Sequence, residues 1–366
     1  MADTKISDSV IYIGADDHDI DLFESQYVVP NGVSYNSYVI IDEKIAVMDT
    51  ADPRVTDVWF DNLEKALGGR KPDYLVVQHM EPDHAGNIKK LAEKYPEMKI
   101  VGNAKTFPMM KQFFSIDGLD DRSVVVKEGD TLSLGSHTLQ FVMAPMVHWP
   151  EVMVTYEQSE KLLFSADGFG KFGALDVEED WACEARRYYF NIVGKYGAQV
   201  ALLKKASALD IKMILPLHGP ILKDDLGYYL GLYNTWSSYQ PESKGVFVAY
   251  ASIHGNTAKA AEKLGEMLKE KGAEKVVISD LSRSDMAENI EDAFRYDRII
   301  LMASSYDGGV FPVMEDFLMH LKSKNYQNRK IGLVENGSWA PTAARVMKGY
   351  VENFKNVTIA EPVVTI

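Results

Sequence analysis

Four side chains able to ligate a metal fall within six residues: His79, Glu81, Asp83 and His84, in the run His79-Met80-Glu81-Pro82-Asp83-His84. Imidazole and carboxylate bind divalent first-row metals where thiolates are missing. Thiolates are missing here, because the 366 residues include one cysteine, Cys183. One cysteine builds no disulfide framework, no thiolate iron–sulfur cluster and no Cys-based zinc finger. In an extended segment positions 79, 81 and 83 project to one side. His84 then turns in at the start of a helix expected from about Gly86. Three more ligand-type residues end apolar runs: His148 in Ala144-Pro145-Met146-Val147-His148-Trp149-Pro150, Asp167 in Leu163-Phe164-Ser165-Ala166-Asp167-Gly168, and His218 in Leu215-Pro216-Leu217-His218-Gly219-Pro220. Any one of these alone reads as structural. Together with the dense run they read as a metal centre rather than a solvated loop.

A second constellation lies in the C-terminal part. Ser252, Ile253, His254, Gly255, Asn256 and Thr257 stand between an apolar strand and a helix. Hydroxyls, an amide and a glycine at a helix N-terminus form a phosphate cradle of backbone N–H groups. The Gly-Lys-Ser/Thr ending of a P-loop is missing, as is the G-x-G-x-x-G of a dinucleotide site. The segment resembles the FMN-phosphate loop of flavodoxins. Ser304, Ser305, Tyr306, Asp307 and Gly308 follow the next strand but one, and Asn336, Gly337, Ser338, Trp339 and Ala340 the strand after that. Glycines there let backbone amides approach a flavin ring, and Tyr306 or Trp339 can stack on it. His137 and His320 read as a surface residue and a structural helix residue.

The elements that must position these groups are legible as apolar runs. Tyr38-Val39-Ile40-Ile41 and Ile45-Ala46-Val47-Met48, separated by Asp42-Glu43-Lys44, read as a hairpin. Tyr74-Leu75-Val76-Val77 reads as a buried strand that delivers His79. Ser123-Val124-Val125-Val126, Thr138-Leu139-Gln140-Phe141-Val142, Val152-Met153-Val154-Thr155-Tyr156 and Met213-Ile214-Leu215-Pro216 continue the pattern. A polar, Pro-containing stretch at Gln240-Pro241-Glu242-Ser243-Lys244 marks a boundary. Two domains are expected, 1–240 and 245–366. Beyond the boundary, strands over 245–251, 276–281, 298–303, 330–335 and 357–365 alternate with helices, the first over 257–271 with Gly272 as its C-cap. Such alternation indicates a parallel sheet covered on both faces.

Composition narrows the partners. The formal net charge of −14 argues against nucleic acid and anionic membrane surfaces. It favours a basic or neutral protein partner. No apolar run is long enough to span a bilayer, and the N-terminus lacks the charged and apolar regions of a signal peptide. A cytoplasmic protein is expected.

The order of the seven ligand-type residues resembles the metallo-β-lactamase fold, whose hydrolases carry H-x-H-x-D-H followed by later His, Asp and His. Here Glu81 stands at the second His. A carboxylate is a harder ligand than imidazole and shifts preference from zinc toward iron. H-x-E-x-D-H is the variant of the diiron members. Joined to a flavodoxin-like half, the chain resembles the flavodiiron proteins, or A-type flavoproteins. Gly32-Val33-Ser34-Tyr35-Asn36-Ser37-Tyr38, His148-Trp149-Pro150 and Gly337-Ser338-Trp339-Ala340-Pro341 belong to the match.

That resemblance implies an α/β chain: an N-terminal metallo-β-lactamase-like αββα sandwich followed by a flavodoxin-like doubly wound parallel sheet. It implies FMN and two iron ions as cofactors. It implies an oxidoreductase that reduces O2 to water, NO to N2O, or both, with electrons passing through FMN from an external rubredoxin-type donor. One iron would be held by His79, Glu81 and His148, the other by Asp83, His84 and His218, with Asp167 bridging. A head-to-tail homodimer, or a homotetramer, is also implied. Two departures stand out. The sequence stops at Ile366, just after the fifth flavodoxin strand, so the last helix is expected to be absent. Family members often carry a histidine where this chain has Glu24, with His18 upstream. The rival readings are a dizinc hydrolase with an attached flavodoxin module, against which Glu81 weighs, and a non-catalytic gas-binding or electron-transfer protein.

Overall fold

A computed structural model describes residues 3–202 and 209–366. The chain divides into two compact units. One comprises Met1–Ala185 with Ala198–Leu230, the other Arg186–Gly197 with Gly231–Ile366.

The first unit is built on two sheets. Strands Val10–Tyr12, Tyr38–Ile40, Ala46–Met48, Tyr74–Val76, Lys99–Asn103 and Ser123–Val126 lie side by side in that order. The first three are antiparallel and the last four run parallel. Parallel neighbours need crossovers, which helices Thr56–Leu67 and Ile88–Lys94 supply. Each crossover helix buries one apolar face, Trp59, Leu63 and Leu67 in the first and Ile88 and Leu91 in the second. The second sheet is a meander of Thr131–Ser133, Thr138–Met143, Met153–Glu157 and Leu162–Phe164, with Met213–Leu215 added parallel at its edge.

Alternate residues of both sheets meet in one core. Tyr38, Ile40, Ala46, Met48, Val76 and Val101 from the first sheet pack with Leu139, Phe141, Leu162, Phe164 and Leu215 from the second. The period of two in these strands places every second side chain in that core.

Several expected elements take a different form. Pro82 stands at the first position of a short helix, Pro82–Ala85. Its fixed φ is preorganised for that position. The extended segment therefore ends at Glu81, and both Asp83 and His84 are helical rather than alternating. His148 lies in the irregular connection between Thr138–Met143 and Met153–Glu157, not at a strand end. The strand expected over 357–365 is two short pieces, Thr358–Ile359 and Val364–Thr365. Pro362 lies between them and has no N–H to give the ladder. The strand expected to stop at 303 continues to Tyr306 and folds back on Gly309–Val310.

In the second unit the parallel strands are ordered Val276–Asp280, Ser243–Ala251, Tyr296–Tyr306, Lys330–Asn336, Thr358–Ile359. In chain order that is second, first, third, fourth, fifth, the flavodoxin arrangement. Helix Asn256–Glu270 covers one face, its Ala261 packing with Val246, Val248 and Met302 of the strands. Gly272, with φ +85°, ends that helix in the left-handed conformation a side chain resists. Arg186 is buried in this unit, paired with Glu242 at 2.7 Å and with Glu291. The Trp236 indole N–H donates to Glu242 at 2.8 Å. Among the described residues, no helix is long and apolar enough to cross a membrane.

Candidate metal centre and flavin loops

Connections that follow strands of the two sheets bring the seven ligand-type residues to one place. Residues 79–84 follow Tyr74–Val76, Asp167 follows Leu162–Phe164 and His218 follows Met213–Leu215. Ala166 has φ +49°, a left-handed kink that turns the chain immediately before Asp167. Ligand atoms of His79, Glu81, His148 and Asp167 all lie within 4.8 Å of one another, and so do those of Asp83, His84 and His218.

Asp167 joins the two groups. Its Oδ2 is 3.2 Å from His79 Nε2 and 3.2 Å from His148 Nε2. Its Oδ1 is 3.2 Å from His84 Nε2 and 3.8 Å from His218 Nε2. Glu81 Oε2 stands 3.2 Å from His79 Nε2 and 2.9 Å from His148 Nε2. Asp83 Oδ2 is 3.2 Å from both His84 Nε2 and His218 Nε2. Donor atoms bonded to a common metal at about 2.0–2.2 Å are separated by roughly 3.0–3.4 Å, so these contacts have the spacing of coordination edges. Both oxygens of Asp83 and of Asp167, and Nε2 of His148, are buried without a hydrogen-bond partner. Orphaned buried polar atoms of this kind are costly, and metal ions would satisfy them.

Surrounding groups fix the imidazoles. His79 Nδ1 lies 2.8 Å from Glu151 Oε1, and His218 Nδ1 lies 2.8 Å from the Ser34 carbonyl. A proton on each Nδ1 leaves the Nε2 lone pair aimed into the cluster. Asp49 is fully buried and accepts from the Gln78 N–H and the Gln78 side chain at 2.8 and 2.9 Å. It holds the chain as it leaves the strand. Burial pushes Asp49 up to about 6 despite those bonds. Without metal, burial opposes charge on both rings, but Asp83 and Asp167 overcome it at His84, and Asp167 and Glu81 overcome it at His148. The two imidazoles are pushed up to about 8 and about 9. A bound cation would take the place of those protons.

Glu151, Asp49 and the Ser34 carbonyl escaped the sequence reading. Glu151 stands three residues after His148 in the same connection, which is the one signal that pointed to it. Glu24 sits at the tip of the hairpin formed by Leu22–Phe23 and Tyr27–Val28, within hydrogen-bond reach of Glu81. His18 is elsewhere, exposed and 3.1 Å from Asp176. His137 is buried rather than on the surface, with Nδ1 2.7 Å from Asp42 and Nε2 3.1 Å from Glu160. Two carboxylates lie on either side of it, which a surface strand start does not provide. His320 bonds the Asp316 carbonyl one turn back in its own helix.

The flavin-type loops sit at the carboxyl ends of the first, third and fourth strands of the second unit. Gly255 has φ +85°, and its N–H donates to Ser252 Oγ at 3.1 Å. Nothing lies within 4 Å of where a Cβ would project from Gly255, so the mouth of the cradle at helix Asn256–Glu270 is open. Thr257 Oγ1 is 3.0 Å from Ser304 Oγ, and Asn336 Nδ2 donates to Thr257 Oγ1 at 3.3 Å. These contacts tie the three loops together. Ser305 Oγ accepts from the N–H groups of Thr342 and Ala343. Trp339 is 90% exposed and Tyr306 44% exposed, so both rings are free to cover a planar ligand. Ile253, His254, Asp307, Gly308, Gly337, Ser338 and Ala340 lie in the same three segments. The first and third strands are neighbours here, and the crevice at that switch point is where this topology binds ligands.

The two units thus define a metal-centred αββα domain joined to a flavodoxin-like one. Comparison with known proteins agrees. Residues 33–219 match the ODP family beta lactamase, and residues 247–359 match a flavodoxin domain. A nitric oxide reductase of Moorella thermoacetica is 32% identical over 98% of this chain and 91% of its own length. A rubredoxin-oxygen oxidoreductase of Megalodesulfovibrio gigas is 29% identical over 95% of this chain and 88% of its own. Among solved structures, the rubredoxin oxygen:oxidoreductase of Desulfovibrio gigas superposes with a TM-score of 0.91 at 26% identity, covering 99% of this chain and 92% of that one. The flavodiiron protein of Giardia intestinalis superposes with a TM-score of 0.87 at 25% identity, over the same shares.

The chain belongs to the flavodiiron protein family. It is an oxidoreductase, and its cofactors are FMN and two iron ions. The donor set of four imidazoles and three carboxylates fits iron, and the open helix N-terminus with two exposed aromatic rings fits FMN.

Proposed function

We propose that this protein reduces O2 to water, NO to N2O, or both, using electrons from a rubredoxin-type donor. His79, Glu81 and His148 would hold one iron and Asp83, His84 and His218 the other, with Asp167 shared between the two sets. The single observation that carries this reading is Asp167, whose two oxygens each face a separate histidine set. When bound, FMN and the iron pair supply the one-electron chemistry that side chains cannot.

The chain's own part is ligation, placement and exclusion. Glu151 and the Ser34 carbonyl hold His79 and His218 in the orientation that frees Nε2. Phe23 and Tyr35 pack edge-on to the His218 ring at 5.4 and 5.9 Å between centroids. They limit water beside that side of the centre. Residues 252–257, 304–308 and 336–340 would hold FMN, with Tyr306 and Trp339 available to cover its ring. The relatives named for nitric oxide and for oxygen support both gases as substrates. The family resemblance supports a head-to-tail dimer or tetramer in the cytoplasm.

The test is anaerobic reduction of iron- and FMN-replete protein, followed by parallel O2 and NO consumption assays with metal analysis. Catalytic consumption of either gas, with two irons per chain, is expected. Zinc in place of iron together with hydrolase activity would overturn the reading, as would gas uptake that stops after one equivalent.

A further inference from the structure

Three buried side chains of the run 32–38 close on the turn that carries His218. Asn36 Nδ2 donates to the Pro216 carbonyl at 2.8 Å and to the Gly219 carbonyl at 2.7 Å. The Tyr38 hydroxyl donates to the same Pro216 carbonyl at 2.7 Å. Ser34 Oγ accepts from the Gly219 N–H at 2.7 Å. The Asn36 backbone N–H donates to the Leu217 carbonyl at 2.8 Å. His218 is therefore held on both sides along the chain. The Tyr12 hydroxyl donates to Asn36 Oδ1 at 3.1 Å, which turns the NH2 end of the amide toward the two carbonyls. The Leu217 N–H donates to the Ala166 carbonyl at 2.9 Å, so the same turn is tied to the residue before Asp167. Ser37 points elsewhere, its hydroxyl donating to the Met48 and Asp49 carbonyls at 3.2 and 3.0 Å.

We propose that Asn36 is a positioning residue for one iron alone, the one that Asp83, His84 and His218 would hold. The inference rests on the diiron reading above. A carboxamide offers two N–H donors and an acceptor, a hydroxyl offers one donor, and an ionised carboxylate offers none. The Pro216 and Gly219 carbonyls lie on either side of His218 and need both donors, while Tyr12 uses the acceptor. No other small side chain meets all three demands. With the backbone fixed by Asn36 and Nδ1 held by the Ser34 carbonyl at 2.8 Å, the His218 ring keeps one direction. Glu151 does the corresponding work for His79. The two ligand sets thus have separate supports, a carboxylate for one and a neutral amide clamp for the other. Among the described residues, no hydrogen bond from Ser34 Oγ, Asn36 Nδ2 or the Tyr38 hydroxyl reaches residues 79–84 or 148. Groups that orient a ligand set the affinity of the metal it binds, so loss of the clamp loosens one iron and spares its neighbour.

The test is anaerobic titration of ferrous, FMN-loaded protein with a ferrous chelator, counting the irons that stay on the chain. Asn36→Asp keeps the shape and removes both donors. It should release one iron at about 10- to 100-fold lower chelator than the wild type and the other at the wild-type concentration. Tyr38→Phe and Ser34→Ala each remove one bond to the turn and stand in for Asn36→Asp if that chain does not fold. Each should shift the same single iron by about 2- to 12-fold. Adding Glu151→Gln, which faces His79, to any of the three should loosen the other iron as well. Equal weakening of both irons by a clamp variant is what a merely structural role gives, and it would overturn the assignment. So would unshifted titrations, or a double variant that still holds one iron as tightly as the wild type. A wild-type chain that binds fewer than two irons would instead overturn the diiron reading itself.

Discussion

The Nδ1 atom of His79 lies 2.8 Å from Oε1 of Glu151, and both side chains are completely buried. Glu151 also accepts from the Met80 N–H at 2.8 Å. One carboxylate thus fixes both the ring and the backbone of the segment that carries the ligands. Glu151→Gln keeps the shape but removes the charge that supports the donor strength of His79. Iron affinity should fall about 10- to 100-fold, measured by chelator competition, while FMN content is unchanged. Unaltered iron affinity would show that Glu151 is only a packing residue.

Among the described residues, Asp167 is the one carboxylate whose two oxygens face both histidine sets. Asp167→Ala should therefore remove gas reduction entirely, and so should His84→Asn, while the flavin of each variant is still reduced by dithionite. Full turnover by the His84→Asn protein would remove the ligand assignment. The readout separates the centres, because neither substitution alters residues 252–257, 304–308 or 336–340.

Trp339 stands 90% exposed at a strand-end loop, an arrangement that gives no stability to the free protein. Stacking on a planar ligand would be worth about 0.5–1.5 kcal/mol. Trp339→Ala is expected to raise the Kd for FMN by roughly 2- to 12-fold in a fluorescence titration, with iron content unchanged. An identical Kd would place the ring outside the flavin site.

His137 carries a pH signature in stability. Burial works against its charge, but hydrogen bonds to Asp42 and Glu160 prevail and raise it above its ordinary 6.5. Asp42 moves the other way: burial opposes its charge, yet bonds from His137 hold it well below its ordinary 3.8. The histidine's contribution is complete below pH 6.5 and is lost as pH rises through its folded value. The aspartate's contribution is complete above pH 3.8 and is lost as pH falls through its folded value. The pair therefore acts in full between about pH 4 and 6.5. In denaturation profiles the gap between wild type and His137→Gln should be widest there and narrow toward pH 9. A gap that widens with rising pH would contradict the assignment.

Arg186 pairs with Glu242 and Glu291 in the interior of the second unit. Burial pushes Glu291 up to about 7 even though Arg186 pulls it down. Arg186→Ala leaves two carboxylates without their cation, a loss of about 3–5 kcal/mol where such pairs are buried. Thermal unfolding followed through flavin fluorescence should move to markedly lower temperature, and an unchanged midpoint would contradict the pairing.

The sequence by itself pointed to the candidate ligand types, to most of the strands that precede them and to the flavin-type loops. Apolar runs of period two announce buried strands, and polar residues at their ends announce chemistry, because both signals are local. It also limited the metal donors to His and carboxylate, through a single cysteine. Tertiary structure alone decided how the ligands divide. Asp167 faces His79 through one oxygen and His84 through the other, a relation between residues more than 80 positions apart that no spacing encodes. Local conformation overrode the expected alternation at Asp83, because Pro82 starts a helix one turn early. Asp49 and the Ser34 carbonyl were silent in the sequence, and Glu151 was signalled only by its place three residues after His148, since a carboxylate or a carbonyl acquires a role only when folding buries it against such a side chain.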